Sequence, residues 1–159
     1  FNDMKIYSFE PHPGVFKRFK KNIEQNSLNK NIQAMELGLS DKKDLMFIEG
    51  PKHFGINQSG GASLQSKGSH KVDVSTGDKE ISLVGKNIAI KIDVEGHEAK
   101  TLSGFKNIFD LNNVFLQIEI FDENYHDTIK LLSKHNFKFL KKIDYNHNDT
   151  TNDYYFRNF

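Results

Sequence analysis

The sequence contains no cysteine, which excludes disulfide bonds and thiolate metal sites. It has no apolar run near the roughly 20 residues that cross a bilayer. Its first residues also lack the basic and apolar regions of a secretory signal. These absences are typical of a protein in a reducing compartment, and we expect a cytoplasmic protein without a membrane partner.

An excess of one charge is also absent, because 22 Lys and Arg residues stand against 21 Asp and Glu residues. The basic residues between positions 17 and 21 lie mostly opposite the apolar face of a predicted helix. That face contains Val15, Phe16, Phe19 and Ile23. A solvated helix surface explains this cluster, and we expect no nucleic-acid partner.

The 159 residues suit a single compact domain, which we expect to span 1–159. Apolar residues alternate between strand-like and helix-like spacing, which favours an α/β fold. Helices are predicted from near Pro13, from Glu95 and over 127–134. Strands are predicted at 5–9, 32–39, 45–48, 71–75, 88–94, 114–120, 137–143 and 153–159.

Three of these predictions concern the sheet in more detail. The nearly continuous apolar run 88–94 predicts a strand buried on both faces, central in a parallel sheet. The last two strands are predicted to form an antiparallel hairpin around the polar turn 146–149. Residues 50–70 are rich in Gly, Ser, Asn and Gln, and they predict a long loop that is either functional or disordered.

Acidic residues stand at or just past the carboxyl ends of predicted strands, where open α/β sheets bind ligands. They are Glu10, Asp93, Glu95 and Glu119. Glu10 is placed to accept hydrogen bonds from the hydroxyls of a ribose, or simply to cap the helix after Pro11. Lys91 is predicted to pair with Glu119 or Glu10 rather than to act in catalysis.

Four segments together resemble the FkbM-type methyltransferases across about residues 5–120. They are the FEPHP segment 9–13, Asn22 with Asn26, the GLSD segment 38–41 and the IKIDVEGHE segment 90–98. The last segment is the most specific. The resemblance implies a Rossmann-like methyltransferase fold, a mostly parallel sheet of seven strands whose last strand is antiparallel.

The resemblance also implies transfer of a methyl group from S-adenosylmethionine to a hydroxyl of a small-molecule acceptor, carbohydrates included. Glu10 would then bind the cofactor ribose, and Ser40 and Asp41 would lie near the adenine. Asp93 would lie by the cofactor, and it would face the reacting methyl group and the acceptor together with Glu95 and His97.

A histidine at this place is a candidate base, since its neutral form is available near pH 7 and a hydroxyl becomes a better nucleophile when it loses its proton. Glu95 or Glu98 would orient the His97 ring or raise its pKa. A local hydrogen bond of His97 at the helix start is the alternative. Asp93 and Glu95 would also suit a divalent cation, but no convincing third ligand appears and we assign no metal.

One motif of the resembled family is missing. These methyltransferases begin with a strand and a glycine-rich turn of the type D-x-G-x-N-x-G, which should precede Lys5. We therefore expect a chain that lacks the first strand and helix, with two apolar strand edges exposed. A partner that fills this gap, such as a second copy in a homodimer, and a degenerate cofactor site are the alternatives.

Two other functions are compatible with the same residues. Asp93, Val94 and Glu95 resemble the short acidic motif that holds a metal-bound sugar nucleotide in glycosyltransferases. A noncatalytic binding module that uses the 50–70 segment is the other alternative.

Overall fold

The computed structural model describes residues 4–49, 52–53, 56–57, 63–68, 70–143 and 151–159. The chain divides into two compact units, one formed by 1–39 with 43–75 and the other by 40–42 with 76–159. The single domain predicted for 1–159 stays a prediction. Among the described helices, none combines the length and the apolar character needed to cross a membrane.

The first unit opens with a strand, a helix and a parallel strand. β1 (Ile6–Phe9) pairs with β2 (Ile32–Met35). Between them, α1 (Pro13–Gln25) has proline in its first turn, where the missing N–H needs no partner. Of the apolar face predicted for this helix, Ile23 is the residue fully buried.

The rest of the first unit is mixed β-structure. It contains β3 (Gly38–Leu39), β4 (Asp44–Glu49), β5 (Lys52–His53), β6 (Ile56–Asn57), β7 (Ser63–Gln65) and β8 (His70–Ser75). Four of these strands form a sheet in the order β3-β8-β4-β7, and β5 pairs with β6. The loop predicted for 50–70 is therefore wrong where these short strands form, because local pairing satisfies backbone groups despite the polar composition. Residues 66–68 form no strand, and the other positions of the segment lie outside the described residues.

Among the residues that the structure describes, the second unit holds four α-helices and one sheet. Its elements are α2 (Gly77–Glu80), β9 (Asn87–Ile92), α3 (Glu98–Ser103), α4 (Lys106–Leu111), β10 (Asn113–Phe121), α5 (Tyr125–Lys134), β11 (Lys138–Ile143) and β12 (Thr151–Arg157). The strand order is β11-β12-β10-β9. Alternate residues of β10 are fully buried in the core: Val114, Leu116, Ile118 and Ile120.

The mostly parallel sheet predicted from the sequence is wrong in the described structure. Parallel pairing joins β1 to β2, β3 to β8 and β9 to β10. The other pairings are antiparallel, since β4 returns along β8 and the C-terminal strands form the predicted antiparallel pair. The turn predicted at 146–149 lies outside the described residues.

The prediction that residues 88–94 form a central strand buried on both faces is also wrong. Within the described sheet, β9 is an edge strand with β10 as its neighbour, and of its residues only Ile92 is fully buried. Among the described residues β1 likewise pairs with β2 alone. An edge strand has a neighbour on one side only, so backbone N–H and C=O groups on its other side are unpaired within the sheet.

Candidate functional site

The turn after β9 has a backbone conformation that few residues adopt. Glu95 has φ of 49° and Gly96 has φ of 93°, both in the left-handed region. For a residue with a side chain this conformation costs about 1–2 kcal/mol. Such strain persists where the surroundings enforce it, and it is concentrated at functional sites.

The Glu98 carboxylate holds this turn in place. Its side chain is fully buried, one oxygen accepts a hydrogen bond from the Gly96 N–H at 2.8 Å, and the other accepts from Asn124 Nδ2 at 2.9 Å. Asn124 lies just past β10, so the turn is tied to the neighbouring strand's end. Because residues 95–97 form the turn, α3 begins at Glu98 and the helix start predicted at Glu95 is wrong.

His97 lies at the end of the turn and is 7% exposed. It is the N-cap of α3, yet its side chain makes no capping hydrogen bond. Its Nε2 lies 3.0 Å from Ser40 Oγ, and this hydroxyl donates to Asp41 Oδ1 at 3.0 Å. The structure thus brings together three predicted site residues from two segments of the sequence. The expectation that Glu95 or Glu98 orients the ring is wrong, because the ring's hydrogen bond is to Ser40.

Charge and burial around His97 favour its neutral form. Burial lowers the pKa of His97 below its usual value, and the positive charge of Lys100 lowers it further, against an opposite effect of Asp41. A neutral imidazole carries one bare nitrogen that accepts a proton. The buried ring is therefore a base rather than an acid near neutral pH.

Gly104 allows Ser40 to reach this position. A Cβ built on Gly104 would overlap the backbone oxygen of Ser40. The sequence marks Gly104 only as a break between helical segments, but its missing side chain makes room for the segment that carries Ser40 and Asp41. This close approach is a requirement of the site that periodicity alone does not reveal.

A pair of carboxyl groups lies at the ends of β9 and β10. Burial raises the pKa of Asp93, but hydrogen bonds and charge from Lys91, together with a hydrogen bond from Glu119, hold it below its ordinary value. Burial, the Asp93 hydrogen bond and nearby negative charge raise the pKa of Glu119, although the Thr151 hydroxyl opposes this. A proton that the pair binds is therefore held by Glu119 in preference to Asp93.

The prediction that Lys91 pairs with Glu119 or Glu10 is wrong. The Lys91 ammonium lies 2.8 Å from Asp93 Oδ2, because residues two apart on a strand project to the same side. The pKa of Glu95 is raised, first by burial and then by the charges of Asp93 and Glu98.

A cavity of about 210 Å³ opens beside this carboxyl pair. Its lining comprises Lys91, Asp93, Gln117, Glu119 and Asp153. Sequence reasoning missed Gln117 and Asp153, which are hydrogen-bonded at 3.0 Å. Asp153 lies opposite Glu119 through antiparallel pairing, and no sequence pattern specified that register. Asn124 was also missed, although its position just past β10 was a usable signal.

A larger cleft of about 400 Å³ lies elsewhere in the second unit. It is lined by residues at the ends of α4, α5 and β12 and at the start of β10, among them Asp110, His135 and Asn158. None of the predicted site residues borders it. Within the described residues, no three His, Cys, Asp or Glu side chains come together as metal ligands.

Glu10, in the first unit, lies one residue past β1. One of its carboxylate oxygens accepts a hydrogen bond from the His12 N–H at 2.7 Å. His12 is the N-cap of α1, and its Nδ1 accepts from the Gly14 N–H at 3.1 Å. Glu10 thus helps to stabilise the start of α1, in agreement with the alternative that it caps this helix. Its other oxygen makes no hydrogen bond that the described structure records, so a ribose role stays a prediction.

Comparison with known proteins gives consistent results. The family model of the methyltransferase FkbM domain matches residues 2–139. The hexuronic acid methyltransferase AglP of Haloferax volcanii is 31% identical over 133 residues, which are 81% of this chain and 53% of that protein. The chain therefore spans about half the length of this curated relative.

Two solved structures share the fold. A methyltransferase FkbM from Methylobacillus flagellatus aligns with a TM-score of 0.59 at 13% identity, over 96% of this chain and 36% of that one. A protein titled a putative rRNA-methylase, from Clostridium thermocellum, aligns with a TM-score of 0.54 at 9% identity, over 96% and 71%. These likenesses show a mixed α/β fold similar to that of methyltransferases. With the match over residues 2–139, the chain belongs to the FkbM methyltransferase domain family.

Proposed function

We propose that this chain takes part in methyl transfer from S-adenosylmethionine to a hydroxyl group on a sugar or another small molecule. Within the proposed site, Glu10, Ser40, Asp41 and Asp93 bind the cofactor. Asp93, Glu95 and His97 act at the reacting centre.

The observation that carries the proposal is the hydrogen bond between His97 and Ser40, which lie 57 positions apart. Each belongs to a different segment of the resemblance, GLSD or IKIDVEGHE. Two segments with no reason to interact locally are thus joined at a strained turn. Open α/β sheets bind ligands at the carboxyl ends of their strands, and a buried neutral histidine in such a place suits a general base.

The side chains fit the cofactor's polar groups. Glu10 keeps one carboxylate oxygen beyond the one bonded to His12, and a carboxylate accepts hydrogen bonds from ribose hydroxyls. Asp41 is exposed and keeps a second oxygen beyond the one bonded to Ser40. That oxygen suits an exocyclic amine of adenine, which donates hydrogen bonds.

When bound, S-adenosylmethionine supplies a methyl group on a positively charged sulfur. Transfer of that methyl group to an acceptor oxygen would require the hydroxyl proton to leave. In the proposed site His97 takes this proton, since burial lowers its pKa and keeps the ring neutral. Asp93 and Glu95 accept hydrogen bonds from the acceptor and hold its oxygen in line.

The carbohydrate acceptor is supported by the relative named as a hexuronic acid methyltransferase. The cavity beside Asp93 is lined by carboxylates, an amide and an ammonium group, which are suitable partners for several sugar hydroxyls. The cytoplasmic location and the homodimer stay predictions from the sequence.

The test is a calorimetric titration of S-adenosylmethionine and S-adenosylhomocysteine into the wild-type chain and the Glu10→Ala variant. We expect Glu10→Ala to weaken binding at least about tenfold, which corresponds to the loss of about one charge-assisted hydrogen bond or more. Glu24→Ala is the matched control, because it removes the same group from an exposed position of α1. Equal affinities for Glu10→Ala and wild type would reject the ribose role.

Methyl transfer is then measured with radiolabelled cofactor and two acceptors, a hexuronic acid glycoside and the matching neutral hexose glycoside. Labelling of either supports the proposal, and their ratio ranks the acceptors. His97→Gln should reduce the turnover by about 100-fold or more, the usual contribution of a general base, with little change in S-adenosylhomocysteine affinity.

A further inference from the structure

The Asp41–Ser40–His97 chain of hydrogen bonds allows one arrangement of protons. Ser40 Oγ lies 3.0 Å from Asp41 Oδ1 and 3.0 Å from His97 Nε2. A hydroxyl has a single proton to donate, and an ionised carboxylate only accepts. The Ser40 proton therefore goes to Asp41, and the second hydrogen bond exists only if His97 Nε2 carries a hydrogen and donates it to Ser40.

This arrangement also determines whether Nδ1, the other nitrogen of the His97 ring, carries a hydrogen. A neutral imidazole has one N–H, so a hydrogen on Nε2 leaves Nδ1 with a bare lone pair. Among the described residues, the only hydrogen bond of the His97 side chain is the one to Ser40. Nδ1 is thus left available to a ligand, although the residue is 7% exposed.

Burial makes the arrangement persistent. Ser40 is 2% exposed and His97 is 7% exposed, so water does not readily replace the hydrogen bond between them. Burial and the charge of Lys100 lower the pKa of His97 and keep the ring neutral, although the charge of Asp41 acts in the opposite direction. Gly104 keeps the Ser40 backbone close.

We propose that Ser40 and Asp41 are positioning residues that hold His97 in the tautomer with hydrogen on Nε2, and that Nδ1 is the atom that accepts the acceptor's proton. The proton transfer in this proposal rests on the proposed function, whereas the tautomer of His97 does not depend on it. Asp41 orients the Ser40 hydroxyl, Ser40 accepts from Nε2, and neither touches the transferred proton. The contact uses one Asp41 oxygen, so an adenine contact through the other is compatible.

The same protein contains an internal reference. His135 Nδ1 lies 2.6 Å from Asp110 Oδ1, and a carboxylate at Nδ1 requires hydrogen on Nδ1. The two rings are therefore expected to have hydrogen on opposite nitrogens in one spectrum. His135 lies by the larger cleft, away from the proposed site.

The experiment is a long-range ¹H–¹⁵N correlation spectrum of the histidine rings in the 159-residue chain, at a pH where the His97 ring is neutral. The His97→Gln and His135→Gln variants assign the signals. We expect His97 to show hydrogen on Nε2 and His135 to show hydrogen on Nδ1. A wild-type His97 ring with hydrogen on Nδ1 would overturn the proposal.

Two variants then test the cause. Asp41→Ala releases the Ser40 proton to donate to Nε2, so a fraction of His97 should move to the form with hydrogen on Nδ1. Ser40→Ala removes the group that accepts from Nε2, so the preference for the form with hydrogen on Nε2 should weaken in that variant as well. Asp110→Ala is the matched control and should alter His135 only. An unchanged His97 tautomer ratio in Asp41→Ala would show that Asp41 does not control the ring and would overturn the proposal.

Titration with S-adenosylhomocysteine separates the two hypotheses. If the tautomers follow the expected pattern and the cofactor product does not bind, the proposed function fails and the positioning role stands. If the cofactor product binds and Asp41→Ala leaves the His97 ring unchanged, the positioning role fails and the proposed function stands.

Discussion

One turn follows β1 and another follows β9, and the hydrogen bonds that stabilise these two turns differ. After β1, Glu10 bonds to His12 and His12 bonds to Gly14, contacts that each span two positions. After β9, Glu98 bonds to a residue 26 positions away and His97 to one 57 positions away. The side-chain hydrogen bonds of the first turn stay within its own segment, whereas those of the second turn also reach distant segments of its unit.

This difference has a consequence for stability and binding. The Glu10 carboxylate is partly exposed and little depends on it structurally, so its removal should affect a ligand more than the fold. The Glu98 carboxylate is fully buried and satisfies two donors, so its removal should affect the fold first. Three measurements test this comparison.

The largest effect is expected from Glu98→Ala. It leaves the Gly96 N–H and the Asn124 amide without their acceptor, and the loss of two hydrogen bonds to a charged group costs about 3 kcal/mol in total. Urea unfolding measures the loss, with Glu10→Ala as the paired variant, for which we expect about 1 kcal/mol or less. Similar losses for both variants would mean that the two turns do not differ as described.

A smaller effect is expected at the glycines beside the two turns. Gly104→Ala should destabilise the protein by about 1–3 kcal/mol, because the new methyl group overlaps the Ser40 backbone. Gly14→Ala in the first turn of α1 meets only the His12 ring, at 3.3 Å, and should be neutral or gain up to about 1 kcal/mol from helix propensity. Thermal unfolding of the pair checks the sign, and a stable Gly104→Ala variant would contradict the close approach.

The smallest effect is expected in the pH dependence of stability, to which His97 in the turn after β9 contributes. Because the folded-state pKa of His97 is lowered, the folded protein binds a proton less readily than the unfolded chain. Stability should therefore fall as pH decreases from about the unfolded value of 6.5 toward the lowered folded value. Urea unfolding of wild type and His97→Gln between pH 8 and pH 5 measures the difference.

The loss of stability between pH 8 and pH 5 should be smaller in His97→Gln than in wild type. The other histidines are present in both proteins, so their contributions cancel in the comparison. The Asp93 pKa is lowered and its contribution is lost only in more acidic solution, whereas the raised Glu119 pKa acts in the opposite sense. An identical pH dependence in both proteins would argue against a perturbed His97.

The sequence by itself determined the elements with strong local signals. The prolines and spacing after β1 predicted α1, and the βαβ pattern predicted β9, β10 and the helical segment between them. The FkbM resemblance, carried by 9–13, 38–41 and 90–98, identified the family that the comparisons support. These features follow from periodicity, turn chemistry and motif, which act over a few residues.

Only the tertiary structure decided which side chains meet. The Ser40 contact of His97, the Asn124 contact of Glu98 and the Asp153 position opposite Glu119 depend on packing between distant segments. Strand pairing in the 50–70 region and the antiparallel pairings of β4 were missed for the same reason. Partners of a buried polar group are set by the need to satisfy every donor and acceptor in the assembled core, and that need has no signature in local sequence.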